Sequence, residues 1–290
     1  MTHLDFELVH TGGGRAELGE SPVWDSRNGD LWWVDVSGKK LFRMEGGSGD
    51  VRHWDTPEQI GFVALTSANQ PGVGMETGLF LFDPRNGAFV RIVALDGEGQ
   101  RFNDATVDPL GRLWTSTMAL DARPGRAAIQ LVTGDLALQT VVEGLAIPNG
   151  LAVDTARGRF YYSDSHAAVQ TIWVAPIRSG LPVTGEANVF ARTDTLDGRP
   201  DGAALDERGF YWIAGVDGSA LYVFDPQGQL HDTLAVPFPA PTKVSFFGAD
   251  GRSIAVTSKQ IGENGGFLAL AKLPEGWSPG IGQPFWSLRP

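Results

Sequence analysis

The segment RPDGAALDERGFYWIAG, residues 199–215, decides the fold. It reads as a strand, an Asp-x-x-Gly turn and a second, aromatic strand. The pattern recurs in IPNGLAVDTARGRFYYSD (147–164), RFNDATVDPLGRLWTST (101–117) and LGESPVWDSRNGDLWWVD (18–35), and more weakly in VALTSANQPGVGM (63–75) and TKVSFFGADGRSIAVTS (242–258). The first turn residue falls at Asp25, Asn69, Asp108, Asp154, Asp206 and Gly248. The mean spacing, about 45 residues, is the period of a four-stranded propeller blade. The repeats therefore predict an all-β, six-bladed β-propeller with four antiparallel strands per blade, as a single domain over residues 1–290. The longer Asp154-to-Asp206 interval predicts an insertion around 175–188, and FELVH (6–10) with a C-terminal segment is expected to close one blade.

Five residues before each turn stand Glu20, Ala64, Asn103, Asn149, Asp201 and Lys243. The innermost strand of each blade lines the central channel, so this common offset predicts one ring at one level. A purely structural repeat would place an apolar residue at each position; here Glu20, Asn103, Asn149 and Asp201 carry oxygen donors. Two inward carboxylates and amide oxygens suit a hard divalent cation completed by water. The plainer reading is a set of polar residues around a wet pore. Arg101, two residues before Asn103 on an extended strand, shares its face, and a guanidinium beside an amide suits a polyhydroxy or carbonyl ligand. By the same alternation Asp104 is expected to face away and bond loop amides. Lys243 either balances carboxylate charge or extends away. The aromatic residues after the turns (Trp32, Trp33, Trp114, Tyr161, Tyr162, Trp212) recur with the repeat and are expected to pack between blades.

Composition narrows the function. Lys and Arg number 23 against 34 Asp and Glu, a net charge of −11, which argues against a phosphate-backbone partner. The absence of Cys excludes disulfides and thiolate zinc sites. No apolar run approaches a membrane span and no signal-peptide pattern opens the chain, so a cytoplasmic setting is expected, with no membrane, nucleic acid or obligate protein partner. Asp164-Ser165-His166 has the letters of a triad, but neighbours on a strand point to opposite faces and cannot form a relay. The five His residues show no zinc-site spacing.

LGESPVWD, RFNDATVDPLGRLWTSTM, IPNGLAVD and RPDGAALDERGFYW resemble the hallmark segments of the SMP-30/gluconolactonase/LRE family of six-bladed propellers. PTKVSFFG (241–248) and GGFLAL (265–270) extend the likeness over nearly the whole chain. The resemblance implies a divalent cation (Ca, Zn, Mn, Mg or Fe(II)) on Glu20, Asn149 and Asp201, and sugar contacts from Arg101 and Asn103. Asp121 corresponds most nearly to an acidic substrate contact that is usually Glu, and Ala105 replaces a common Gly. The activity implied is hydrolysis of a sugar lactone, such as glucono-, xylono- or arabinonolactone, to the aldonic acid, with Asp201 as catalytic base. The alternatives are an organophosphate-hydrolase-like esterase and a non-enzymatic calcium-binding propeller of regucalcin type.

Overall fold

In the computed structural model residues 2–12 and 14–288 are described. Among them the one helical element is a 3₁₀ turn at Thr184–Glu186; the rest is strand and turn. No helix among the described residues is long and apolar enough to cross a membrane. The strands form small antiparallel sheets in a propeller-like arrangement: three four-stranded sheets, one five-stranded sheet and one nine-stranded sheet. The nine-stranded sheet is two runs, antiparallel except where the edge strand Thr2–His3 pairs parallel with Leu230–Ala235, and the runs are joined by a single parallel residue pair, Gly202 with Lys243.

The innermost strands are Gly19–Asp25, Ile60–Ala64, Gln100–Val107, Pro148–Asp154, Arg199–Leu205 and Pro241–Phe247. Each packs on the next, and Pro241–Phe247 packs on Gly19–Asp25, so the six form a closed ring. The recurring turn explains itself chemically. Asp25, Asp108 and Asp206 each accept the backbone N–H of the residue two ahead, and Asp154 accepts that of Arg157. A short carboxylate that folds back on the following amides fixes such a turn. Trp114 Nε1 donates to the buried Asp108 carboxylate at 2.9 Å, which also fixes the strand that follows.

The aromatic repeats pack between sheets, as their periodicity predicts. Trp32 joins Val63, Met75 and Phe82 of the neighbouring sheet, and Trp114 lies against Phe160 at 5.0 Å between ring centroids. Trp33 and Phe42 meet Ala255 and Leu268 where the last sheet meets the first. The ends of the chain hold the ring together. Glu7–Val9 adds to Leu268–Lys272 as its antiparallel edge strand, the closure expected from FELVH. The insertion at 175–188 forms a short strand, Leu181–Pro182, and the 3₁₀ turn. The C-terminal segment crosses the far end of the channel: Ile281 N donates to Leu205 O, Trp286 N to Leu65 O and Ser287 N to Gly111 O.

Candidate active site

Every inner strand slips register near its ring position. The slips fall at Glu20/Val23, Ile60/Phe62, Phe102/Ala105, Asn149/Ala152, Pro200/Ala203 and Pro241/Lys243. Bulges of this kind leave residues out of the ladder and re-aim their side chains. At two of them the backbone turns left-handed, Ser21 at φ 51° and Gly150 at φ 63°. A Cβ on Gly150 would collide with the Tyr211 hydroxyl, which donates to Gly150 O at 2.7 Å. Glycine is therefore required directly after Asn149.

The re-aimed side chains form a continuous polar chain. Arg101 Nη1 donates to Asn103 Oδ1 (2.7 Å), and Asn103 Nδ2 donates to Asn149 Oδ1 (2.9 Å) and to Pro148 O (3.0 Å). Asn149 Nδ2 donates to Ser165 Oγ (2.7 Å), whose hydroxyl donates to Pro200 O. Chemistry fixes both amide orientations. With its proton on a carbonyl, Ser165 accepts only from an amide NH₂, so Asn149 Oδ1 turns toward Asn103. That oxygen keeps a second lone pair for another partner.

Glu20 and Asp201 complete the cluster. Glu20 accepts the Ser21 N–H at 2.8 Å. Among the described residues no hydrogen bond reaches the buried Asp201 carboxylate. Burial pushes the Glu20 carboxyl up to about 7, with Lys243 opposing and Asp104 adding to the rise. Asp201 is also pushed well above the carboxylate range, first by burial and then by the charges of Glu20 and Asp104. Burial lowers the Arg101 guanidinium to about 10, offset by Glu20 and Asp201. These mutual influences place Glu20, Arg101 and Asp201 in one electrostatic neighbourhood.

Two desolvated carboxylates with few donors would each be stabilised by a shared cation. The donor chemistry therefore fits a hard divalent ion: two carboxylates and the free lone pair of Asn149 Oδ1. Among the described residues no three His, Cys, Asp or Glu side chains gather as a metal-holding group, so such a centre rests on this mixed set with water or substrate.

Two residues stand differently from the simple strand reading. Asp104 does bond backbone amides, Ala105 N at 2.8 Å and Leu151 N at 2.9 Å, but it also pairs with Lys243 Nζ at 2.5 Å. The bulge between Phe102 and Ala105 suspends the alternation that turned it away. Asp121 is exposed and paired with Arg123 at 2.9 Å, outside the buried cluster. Ser165 was visible only as part of a false triad; its role as the anchor of Asn149 depends on the ring being closed. A cavity of about 80 Å³ lies beyond the cluster, with Ala105, Leu151, Ala203, Lys243, Ser245 and the C-terminal Ile281 among its walls. Of the six ring residues, Lys243 alone borders it.

This geometry defines a channel-centred site on a propeller-like scaffold, and the sequence comparison gives it a family. Residues 18–260 match the SMP-30/Gluconolactonase/LRE-like region, and the chain belongs to that family. It is 33% identical over 261 residues to the 6-deoxy-6-sulfogluconolactonase of Pseudomonas putida, covering 89% of this chain and 88% of that protein. It is 34% identical over 264 residues to the L-arabinolactonase of Azospirillum brasilense, covering 88% and 85%. The crystal structure of regucalcin from Agrobacterium tumefaciens, described as a calcium-binding protein, superposes with a TM-score of 0.89 at 24% identity, covering 98% of both chains.

Proposed function

We propose that the protein is a metal-dependent hydrolase that opens a sugar lactone to its aldonic acid. The observation that carries this is the grouping of half-buried Glu20 and buried Asp201 with the oriented Asn149 oxygen, beside Arg101 and Asn103. The lactonase relatives support the substrate class. The scaffold that goes with it is a single domain of six blades, obtained by dividing the nine-stranded sheet at the Gly202–Lys243 pair.

Glu20, Asn149 and Asp201 would hold the cation. Bound there, a divalent ion supplies Lewis-acid polarisation of the lactone carbonyl. Asp201 accepts the proton of the attacking water at its carboxylate, since no donor among the described residues occupies it. Arg101 and Asn103 orient the sugar, with Arg101 contributing a guanidinium already desolvated and ion-paired to no carboxylate among the described residues. Asp121 would engage a substrate that fills the mouth. The reading carries a small-molecule partner in a cytoplasmic setting, and requires neither nucleic acid, membrane nor a protein partner.

Proton release from a panel of aldonolactones, followed with and without chelator and corrected for spontaneous hydrolysis, tests the proposal. Chelator-sensitive turnover is expected. Cation binding without turnover of any lactone would favour a non-enzymatic calcium-binding role, and chelator-insensitive turnover would overturn the metal centre.

A further inference from the structure

The mechanism leaves the buried pair of Lys243 and Asp104 unused. Lys243 is 5% exposed and Asp104 is 4% exposed. Their pairing joins strands 139 residues apart in sequence, on different sides of the ring. Buried ion pairs contribute little net stability compared with apolar packing, because desolvation offsets the Coulomb gain. A pair kept in the middle of a channel therefore calls for an explanation other than stability.

Its connections supply one. Lys243 Nζ bonds Asp104 Oδ1 and, at 3.0 Å, Ala105 O. Asp104 Oδ2 takes the N–H of Leu151, two residues beyond Asn149. Asp104 N donates to Ser116 Oγ, which donates to Pro148 O, directly before Asn149. The Lys243 stem lies on Gly202, directly after Asp201, so closely that a Cβ there would overlap its Cβ and Cγ. One side chain thus touches the strands carrying Asn103 and Asp201 at the residues beside them, and reaches the strand carrying Asn149 through Asp104. We propose that Lys243, through Asp104 and Gly202, is a positioning residue that sets the spacing of Asn149 and Asp201 for the cation. The inference rests on the proposed metal-dependent function and assigns Lys243 no contact with substrate.

A second role for the pair would be purely electrostatic, and the two roles predict different signs. As a mere positive charge, Lys243 repels a cation. Lys243→Met would then tighten cation binding, Asp104→Asn would weaken it, and the charge-neutral double variant would bind like the parent. As a positioning residue, its removal separates the ligands whatever the net charge. The experiment is calorimetric titration of the full chain with calcium, manganese and zinc in turn, on the parent, Lys243→Met/Asp104→Asn and Lys243→Arg. Circular dichroism and urea unfolding check the fold. The double variant is expected to weaken binding by about 10- to 100-fold, the usual effect of removing a group that orients metal ligands. Lys243→Arg keeps the charge but not the compact ammonium, and is expected to weaken binding in the same direction. It also serves if the double variant does not fold. Parent-like affinity in the folded variants overturns the inference and leaves the proposed function intact. A parent that binds no cation and opens no lactone overturns the proposed function first, and the inference with it.

Discussion

Asp201 is a buried carboxylate with no hydrogen-bond donor among the described residues, and its neighbour Glu20 is pushed up to about 7 by burial. On the proposed function, Asp201→Asn keeps a ligand oxygen and loses the base. Its kcat on the best lactone, taken above the buffer blank, is expected to fall by about 10²- to 10⁴-fold, the usual effect of losing a general base, while calorimetry still detects cation. Near-parental turnover would assign the base elsewhere. Glu20 makes a separate prediction, whose sign follows from linkage. Its folded value is raised from 4.5 to about 7, so between those values the folded state holds more protons than the unfolded chain. Without metal, this group costs stability progressively as pH rises through that window, and the cost is complete above it. A bound cation removes the cost and displaces the proton. The cation-induced rise in melting temperature should be larger at about pH 8 than at about pH 5. Equal shifts at both would contradict the role of Glu20. The sequence disclosed Glu20, Asn103, Asn149 and Asp201 because their offset from the turn repeats. It misplaced Asp104 because alternation holds only on a regular strand.

At the level of the element, the bulge is what turns a repeat into a site. An inner strand without it would send successive side chains to opposite faces. With it, Asn103 joins the polar chain while the adjacent Asp104 reaches Lys243 across the channel. A trace of this was legible: glycine follows both Asn149 and Asp201, and a lone glycine within a strand pattern marks a bulge or a close approach. Both occur here, the left-handed Gly150 under Tyr211 and Gly202 under the Lys243 stem. What no single strand announces is which distant side chain fills the space above the glycine, since that depends on ring closure. Gly150→Ala is expected to destabilise the protein by about 1–3 kcal/mol, the cost of a side chain held in a sparsely populated backbone region. Urea unfolding measures it, and an unchanged midpoint would mean that the bulge relaxes.

Across the whole molecule, the ring depends on its last seam. Glu7–Val9 covers the edge of Leu268–Lys272, and Trp33 and Phe42 pack on Leu268 from the first sheet. A chain beginning at His10 leaves that edge unpaired. Its urea midpoint is expected to fall, with turnover retained at low denaturant because no ring residue is removed. Loss of turnover in a fully folded truncation would show that the seam also shapes the centre. The repeat period made this architecture readable, whereas the course of residues 279–288 carries no periodic signal and emerges only from hydrogen bonds to opposite sides of the ring. That C-terminal crossing lays a segment of chain over one end of the channel. On the proposed function, with that end covered, a product formed at Asp201 leaves the way its precursor entered, so the two contend for one space and do not pass through in file. Added aldonic acid should therefore inhibit competitively, raising the apparent KM while kcat stays constant. A fall in kcat with KM unchanged would reveal a second exit.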